Sequence, residues 1–206
     1  ATEDGDADPE LTGRFAELIE KGGRRLLDTL GAVLRLSKLK AGEMDLAGEP
    51  VDVSQQLAAA AELFEVEAAE ANLGLTITVP DPPLWVWADP DGLQIVLKNL
   101  ISNAVKFTDD GGTVEARAHR HDDTITIQVE DTGIGMSPEN VPSLFEAFQQ
   151  ASEGLSREYE GTGLGLSVTK EAVDQMGGSI DVDTAKDKGT CVTVRLPATE
   201  TDPESD

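Results

Sequence analysis

The chain has one cysteine, Cys191, in 206 residues. No internal disulfide can form, and a chain without disulfides fits a reducing cytoplasm. The alternating neighbours of Cys191, TCVTVRL, point to a buried structural thiol. No run of 18 apolar residues occurs, which leaves no transmembrane segment within these residues, and nothing resembles a signal peptide. Ala1 stands where a complete chain would carry Met, so a piece or processed product of a longer protein is expected, and a membrane segment in that parent stays open. The familiar phosphate loops are missing too. There is no GxxxxGKS or GxxxxGKT, and Leu166 breaks a GxGxxG reading of Gly161, Gly163 and Gly165.

Bases are scarce: 16 Lys and Arg face 40 Asp and Glu, for a net charge of −24. Five acids lie in residues 1–10 and four in 198–206, with no base in either tail, so the body keeps 31 acids against 16 bases. Such a surface makes a nucleic-acid backbone a poor partner. The excess spread along the chain resembles adaptation to high salt, where counterions screen self-repulsion; an ordinary acidic cytosolic protein is the other reading.

What is present has a clear order. Leu11, Phe15, Leu18, Leu26, Leu30, Val33 and Leu34 recur at helical spacing and predict one helix over about 9–40. So wide an apolar stripe implies a partner helix. Residues 41–50 read as a linker, and Asp52 with Gln55 opens a second helix that fades near Asn72 and Gly74. Strands are expected at 75–79 and 84–88. Asp89 and Pro90 then start a helix to about Phe107, a hairpin turns at Asp122 and Asp123, a helix spans about 164–176, and strands lie near 179–183 and 190–196. The pattern predicts an α/β (α+β) two-layer sandwich, a mixed sheet of about five to six strands with about three helices on one face, plus the long N-terminal helix. The domain boundaries follow: 1–50 helix and linker, 51–198 the main domain, 199–206 an acidic tail.

In the helix GLQIVLKNLISNAVKFT, Asn99, Asn103 and Lys106 share a stripe at i, i+4 and i+7, away from the apolar face of Leu93, Val96, Leu97, Leu100 and Ile101. Asparagine is a poor helix former, so two in one turn suggest a polar use. A carboxamide oxygen can ligate Mg²⁺ that shares its other ligands with substrate phosphates, and Lys106 could meet phosphate charge. A solvated face is the rival reading. Two later stretches, DTGIGM at 131–136 and GTGLGL at 161–166, pair glycines with a small polar residue where backbone can approach a ligand.

LKNLISNAVKFT, VEDTGIGM, LFEAFQQ and EGTGLGLSV stand in the order and approximate spacing of the boxes of the ATP-binding catalytic domain of sensor histidine kinases, which this chain resembles. The first 50 residues resemble the second helix of that family's dimerisation and phosphotransfer hairpin. The resemblance implies ATP and Mg²⁺ as cofactors, the fold shared with gyrase-type ATPases and chaperones, a homodimer through the hairpin helices, and a response regulator receiver domain as partner. It gives Asp131 the adenine amino group, with Gly133 and Gly135 beneath the base. It makes Asn103 the Mg²⁺ ligand assisted by Asn99, and brings Lys106 to the phosphates. Phe107, Met136, Thr162 and Leu164 join the ATP site. Phe145 and Phe148 anchor a lid over about 149–160 that carries Arg157, and Gly161, Gly163 and Gly165 hinge it.

Blander readings remain beside these: Phe145 and Phe148 as core, Arg157 as a surface charge, Asp131 as a turn cap. His119 and His121 alternate on a strand face, and solvation there is favoured over metal binding because two ligands rarely suffice. Neither lies in the helical context of a phosphoacceptor. The resemblance therefore implies a kinase that transfers the γ-phosphoryl group to a histidine on a helix not among these residues. A gyrase or chaperone-type hydrolase is the alternative, but the resemblance places a water-activating Glu at position 99, where an amide cannot act as a base. A nucleotide-insensitive dimerisation module is the third.

Overall fold

The structure, a computed structural model, describes residues 9–42, 48–149 and 162–199. Helix α1 spans Pro9–Lys40. Its apolar stripe is exposed over most of its length, from Phe15 through Leu18, Leu26 and Leu30 to Leu34. Among its described side chains only Ala32, Leu36 and Leu39 are buried, where the last turns of α1 rest on α5 (Gly165–Gln175). Among the described residues no helix is long and apolar enough to cross a membrane.

Strand β1 (Glu49–Asp52) begins inside the stretch read as linker, because Glu49 and Pro50 pair with Ala88 and Trp87 of β3 (Trp85–Ala88). This antiparallel ribbon is separate from the main sheet, so the strand expected at 84–88 does not join it. The ribbon is tied to residues 198 and 199 by the Val86–Ala198 bridge and by the Thr199 N–H donating to the Trp85 carbonyl at 2.9 Å. The Asp52 carboxylate caps α2 (Val53–Glu62), accepting from the N–H groups of Ser54 and Gln55. The single helix expected to about residue 72 is instead two. Phe64 leaves helical geometry and packs on the core, and α3 (Glu65–Glu70) starts afresh to bury Ala68 beside β2 (Gly74–Thr78).

The main sheet adds β4 (Thr113–His121), β5 (Thr124–Asp131), β6 (Ser179–Ala185) and β7 (Gly189–Pro197), in the order β2-β4-β5-β7-β6. The β2–β4 pair is parallel and the rest antiparallel. Helix α4 (Pro90–Phe107), capped by Asp89 on Gly92 N–H at 2.6 Å, lies between α2 and α5 on one face. The three helices bury Leu57, Leu93, Leu97, Ile101 and Val173 against Val114, Ile125, Ile127, Val194 and Leu196. This is the five-stranded mixed sheet with three covering helices that the sequence pattern implied. Gly177, at φ +71, ends α5 as expected, with the Gly178 N–H returning to the Val173 carbonyl at 2.9 Å.

The opposite face of the sheet is polar. Arg117 there meets Gln128, Glu115 and Glu130. Cys191 lies on this face, half-buried rather than in the core, because its register puts it opposite Glu130 and Asp183. Burial pushes its thiol up from the ordinary value.

Candidate functional site

On β5 the inward residues are Ile125, Ile127 and Val129, and the next in that alternation is Asp131. A carboxylate thus ends a row of core side chains and is 9% exposed. Its Oδ1 accepts two backbone N–H groups, from Gly133 at 2.9 Å and Thr190 at 3.2 Å. Oδ2 has no hydrogen-bond partner among the described residues. Burial raises the Asp131 pKa above its ordinary value, and the two N–H groups only partly offset that rise.

The loop after Asp131 is held at backbone level. The Ile134 N–H donates to the Phe107 carbonyl at 3.1 Å, and the Ile134 carbonyl accepts from Asp187 N–H at 2.7 Å. A Cβ on Gly133 would stand 2.0 Å from the Phe107 oxygen, so no other residue fits between α4 and this loop. Gly135 has φ +52, and its Cβ would meet the Ala185 oxygen at 2.0 Å. The Met136 N–H donates to Thr184 Oγ1 at 3.1 Å, which also lies 3.0 Å from Thr190 Oγ1.

Some distance away, Asn99 Nδ2 donates to the Gly165 carbonyl at 3.2 Å and to Thr169 Oγ1 at 3.3 Å. Asn99 and Asn103 both stand beside Gly165, 3.9 Å from where its Cβ would be. Gly163, at φ +68, accepts from the Phe148 N–H at 3.0 Å. Helix α5 begins at Gly165 with no side-chain cap, so its first N–H groups have no intrahelical acceptor. Lys106 Nζ sits 4.8 Å from the Phe107 ring centre.

These parts border one cleft of about 1010 Å³. Asn99, Asn103, Lys106, Phe107 and Asp131 line it from α4 and β5. Gly135, Met136, Thr162, Gly163 and Gly165 line it from the two glycine stretches. Three expected residues do not. Gly133 is buried against the end of α4. The Leu164 side chain is fully buried in the core, and its N–H goes to Thr162 Oγ1 at 3.3 Å. Phe148 is 65% exposed rather than core, and Phe145 is half-buried. Arg157, Gly161 and nearly all of the lid lie outside the described residues. His119 and His121 are exposed on β4, and among the described residues no group of three or more His, Cys, Asp or Glu could hold a metal.

Other lining residues were not read from the sequence: Thr190 from β7, Lys186 and Asp187 from the β6–β7 turn, Asn140, and Asp28 and Arg35 from α1. The signal for the first three was the glycine turn AKDKGT opposite the end of β5; for α1 there was none.

A mixed sheet roofed by three helices thus carries a nucleotide-sized cleft with a buried carboxylate at one end and an uncapped helix start, suited to an anion, at the other. Residues 88–200 match the histidine kinase-, DNA gyrase B- and HSP90-like ATPase family, and the chain belongs to it. Within that family its similarity is to the catalytic regions of histidine kinases. It is 38% identical over 206 aligned residues to the sensor protein GacS of Pseudomonas syringae pv. syringae, covering 95% of this chain and 23% of GacS. It is also 38% identical to the histidine protein kinase DivJ of Caulobacter vibrioides, covering 89% of this chain and 30% of DivJ. The crystal structure of full-length ShkA in complex with AMPPNP superimposes with a TM-score of 0.80 at 30% identity, over 97% of this chain and 41% of that one. The chain therefore spans about a quarter to a third of these curated relatives.

Proposed function

We propose that this chain holds Mg²⁺-ATP and presents its γ-phosphoryl group to a histidine on a hairpin helix, as the kinase domain of a two-component sensor histidine kinase. The observation that carries the reading is Asp131. One of its oxygens is held by two backbone N–H groups, leaving the other for a donor, and the adenine amino group is such a donor where guanine offers a carbonyl. The polyphosphate then runs toward the uncapped start of α5, past Asn103 and Lys106. Mg²⁺ fits the donor set as an ion carried by the phosphates, with the Asn103 amide oxygen as its single protein ligand; when bound it neutralises phosphate charge. Gly161, Gly163 and Gly165 are proposed as the hinge of a lid over about 149–160 that carries Arg157; of these residues, all but Gln149, Gly163 and Gly165 lie outside the described residues. The exposed apolar stripe of α1 supports a homodimer through hairpin helices. A response regulator receiver domain is the onward acceptor, and a cytoplasmic location suits both.

Asn99 separates transfer from hydrolysis. Its amide is engaged as a donor to Gly165 and Thr169 and offers no base to a water. Phosphoryl transfer depends mostly on positioning, and both histidines of this chain lie exposed on β4 instead of on a helix facing the cleft. Radiolabelled ATP should therefore leave the 206-residue chain unlabelled, with little phosphate released. The same domain joined to the hairpin helix of a sensor kinase should acquire acid-labile, base-stable label. Brisk phosphate release from the short chain would overturn the reading in favour of the hydrolase.

A further inference from the structure

Helix α1 does more than lead into the domain: one of its faces forms part of the cleft wall. Asp28, Ala32, Arg35 and Leu39 follow at i, i+4, i+7 and i+11, so they share that face. Leu39 is buried on α5, and its carbonyl accepts from Gln175 Nε2 at 2.6 Å. From this contact both helices run back side by side. Asp28 is eleven residues up α1 and Gly165 ten residues up α5, about 16 and 15 Å at the helical rise. Asp28, Ala32 and Arg35 accordingly line the same cleft as Asn99, Gly165 and Leu166, at the phosphate end.

The Arg35 side chain points the same way. Its Nη1 lies 3.3 Å from where a Cβ on Gly31 would be, so the exposed guanidinium folds back one turn along α1, over a groove kept open by glycine. Among the described residues no carboxylate lies within ion-pair distance of it. A guanidinium on the wall of this cleft, with no ion-pair partner among the described residues, is suited to bidentate binding of phosphate oxygens.

Resting on the ATP reading above, we infer that Arg35 is a ligand for the terminal phosphates of the nucleotide, supplied by α1 and not by the ATP-binding domain, with Asp28 as an opposing charge on the same wall. Nucleotide with a full polyphosphate then ties α1 to the domain more firmly than nucleotide without one.

Calorimetric titration of the 206-residue chain with ATP, ADP and adenosine, in Mg²⁺ buffer, tests this. Arg35→Gln should weaken ATP about ten-fold, the scale of a lost charge-assisted contact, and leave adenosine unchanged. Arg35→Lys should recover part of the loss. Asp28→Asn should tighten ATP a few-fold. Lys38→Gln, an exposed α1 substitution away from the cleft, should change nothing. An Arg35→Gln loss equal for ATP and adenosine, or no loss at all, overturns the inference while the ATP reading stands. If the unaltered chain binds none of the three, both fall.

Discussion

The glycines around Asp131, and Gly165 at the start of α5, are there for opposite reasons. At the Asp131 end, the glycines are demanded by the protein itself. A Cβ would come within 2.0 Å of the Phe107 oxygen at Gly133, 2.0 Å of the Ala185 oxygen at Gly135, and 1.9 Å of the Asp131 oxygen at Gly189, where φ is +88. At the α5 end, a Cβ on Gly165 would meet nothing closer than 3.9 Å, and what it would meet is Asn99 and Asn103. The first set closes the fold around Asp131, whereas Gly165 keeps open a space that the protein does not fill. A tightly closed turn around Asp131 therefore lies across the cleft from a roomier space at the start of α5.

The largest expected effect tests that contrast directly. Gly189→Ala should cost more than about 3 kcal/mol or prevent folding, since both the contact and the φ are unavailable to a side chain. Gly165→Ala should leave urea unfolding unchanged or raise stability by up to about 1 kcal/mol, because Ala is the better helix former. Equal destabilisation by the two would dissolve the distinction.

Asp131→Asn comes next. It should weaken ATP by roughly 1.5–3 kcal/mol, the loss of a hydrogen bond to a charged group, and weaken adenosine as much, because the contact is with the base. This is the opposite profile to Arg35→Gln, and an Asn variant that binds ATP with full affinity would remove Asp131 from the site.

The same variant sharpens the comparison through pH. The folded pKa of Asp131 lies above the ordinary 3.8, chiefly from burial, so the folded state holds this proton more tightly than the unfolded chain does. Wild type should lose stability relative to Asp131→Asn as pH rises from 3.8 through the raised value, with a constant difference at neutral pH. Thermal melts of both proteins across that range supply the check, and a gap that widens on acidification instead would contradict the burial argument.

Salt should produce the smallest separation. A net charge of −24 implies repulsion that is relieved as the Debye length falls to about 3 Å at 1 M, so the melting temperature should rise with KCl. ATP affinity should fall over the same range while adenosine affinity holds, because only the phosphate end relies on screened charge.

Legibility in the sequence followed the same division. The Asp89 cap and the 3.6-residue period of α4 placed Asn99, Asn103 and Lys106 on one stripe, and that stripe does face the cleft. Alternation along TITIQVED carried Asp131 to the helix-covered face. What escaped was non-local. Phe64 divides a helix whose spacing looks continuous, since it packs on the core at that point. Leu164 sits within a ligand-like glycine stretch, yet its side chain belongs to the core. Thr184 and Thr190 reach the site only through pairing between β6, β7 and β5.

Short-range chemistry was thus written in the order of residues: caps, hydrophobic period, strand alternation, and the glycines that permit a turn. These depend on neighbours a few positions apart, and the chain contains those neighbours whatever its fold. The closing of Gly189 over Asp131 and the placing of Arg35 of α1 opposite Asn99 join residues separated by more than fifty positions. Such contacts exist only after the sheet has paired and α1 has settled on α5, because long-range packing sets them and no local periodicity encodes it.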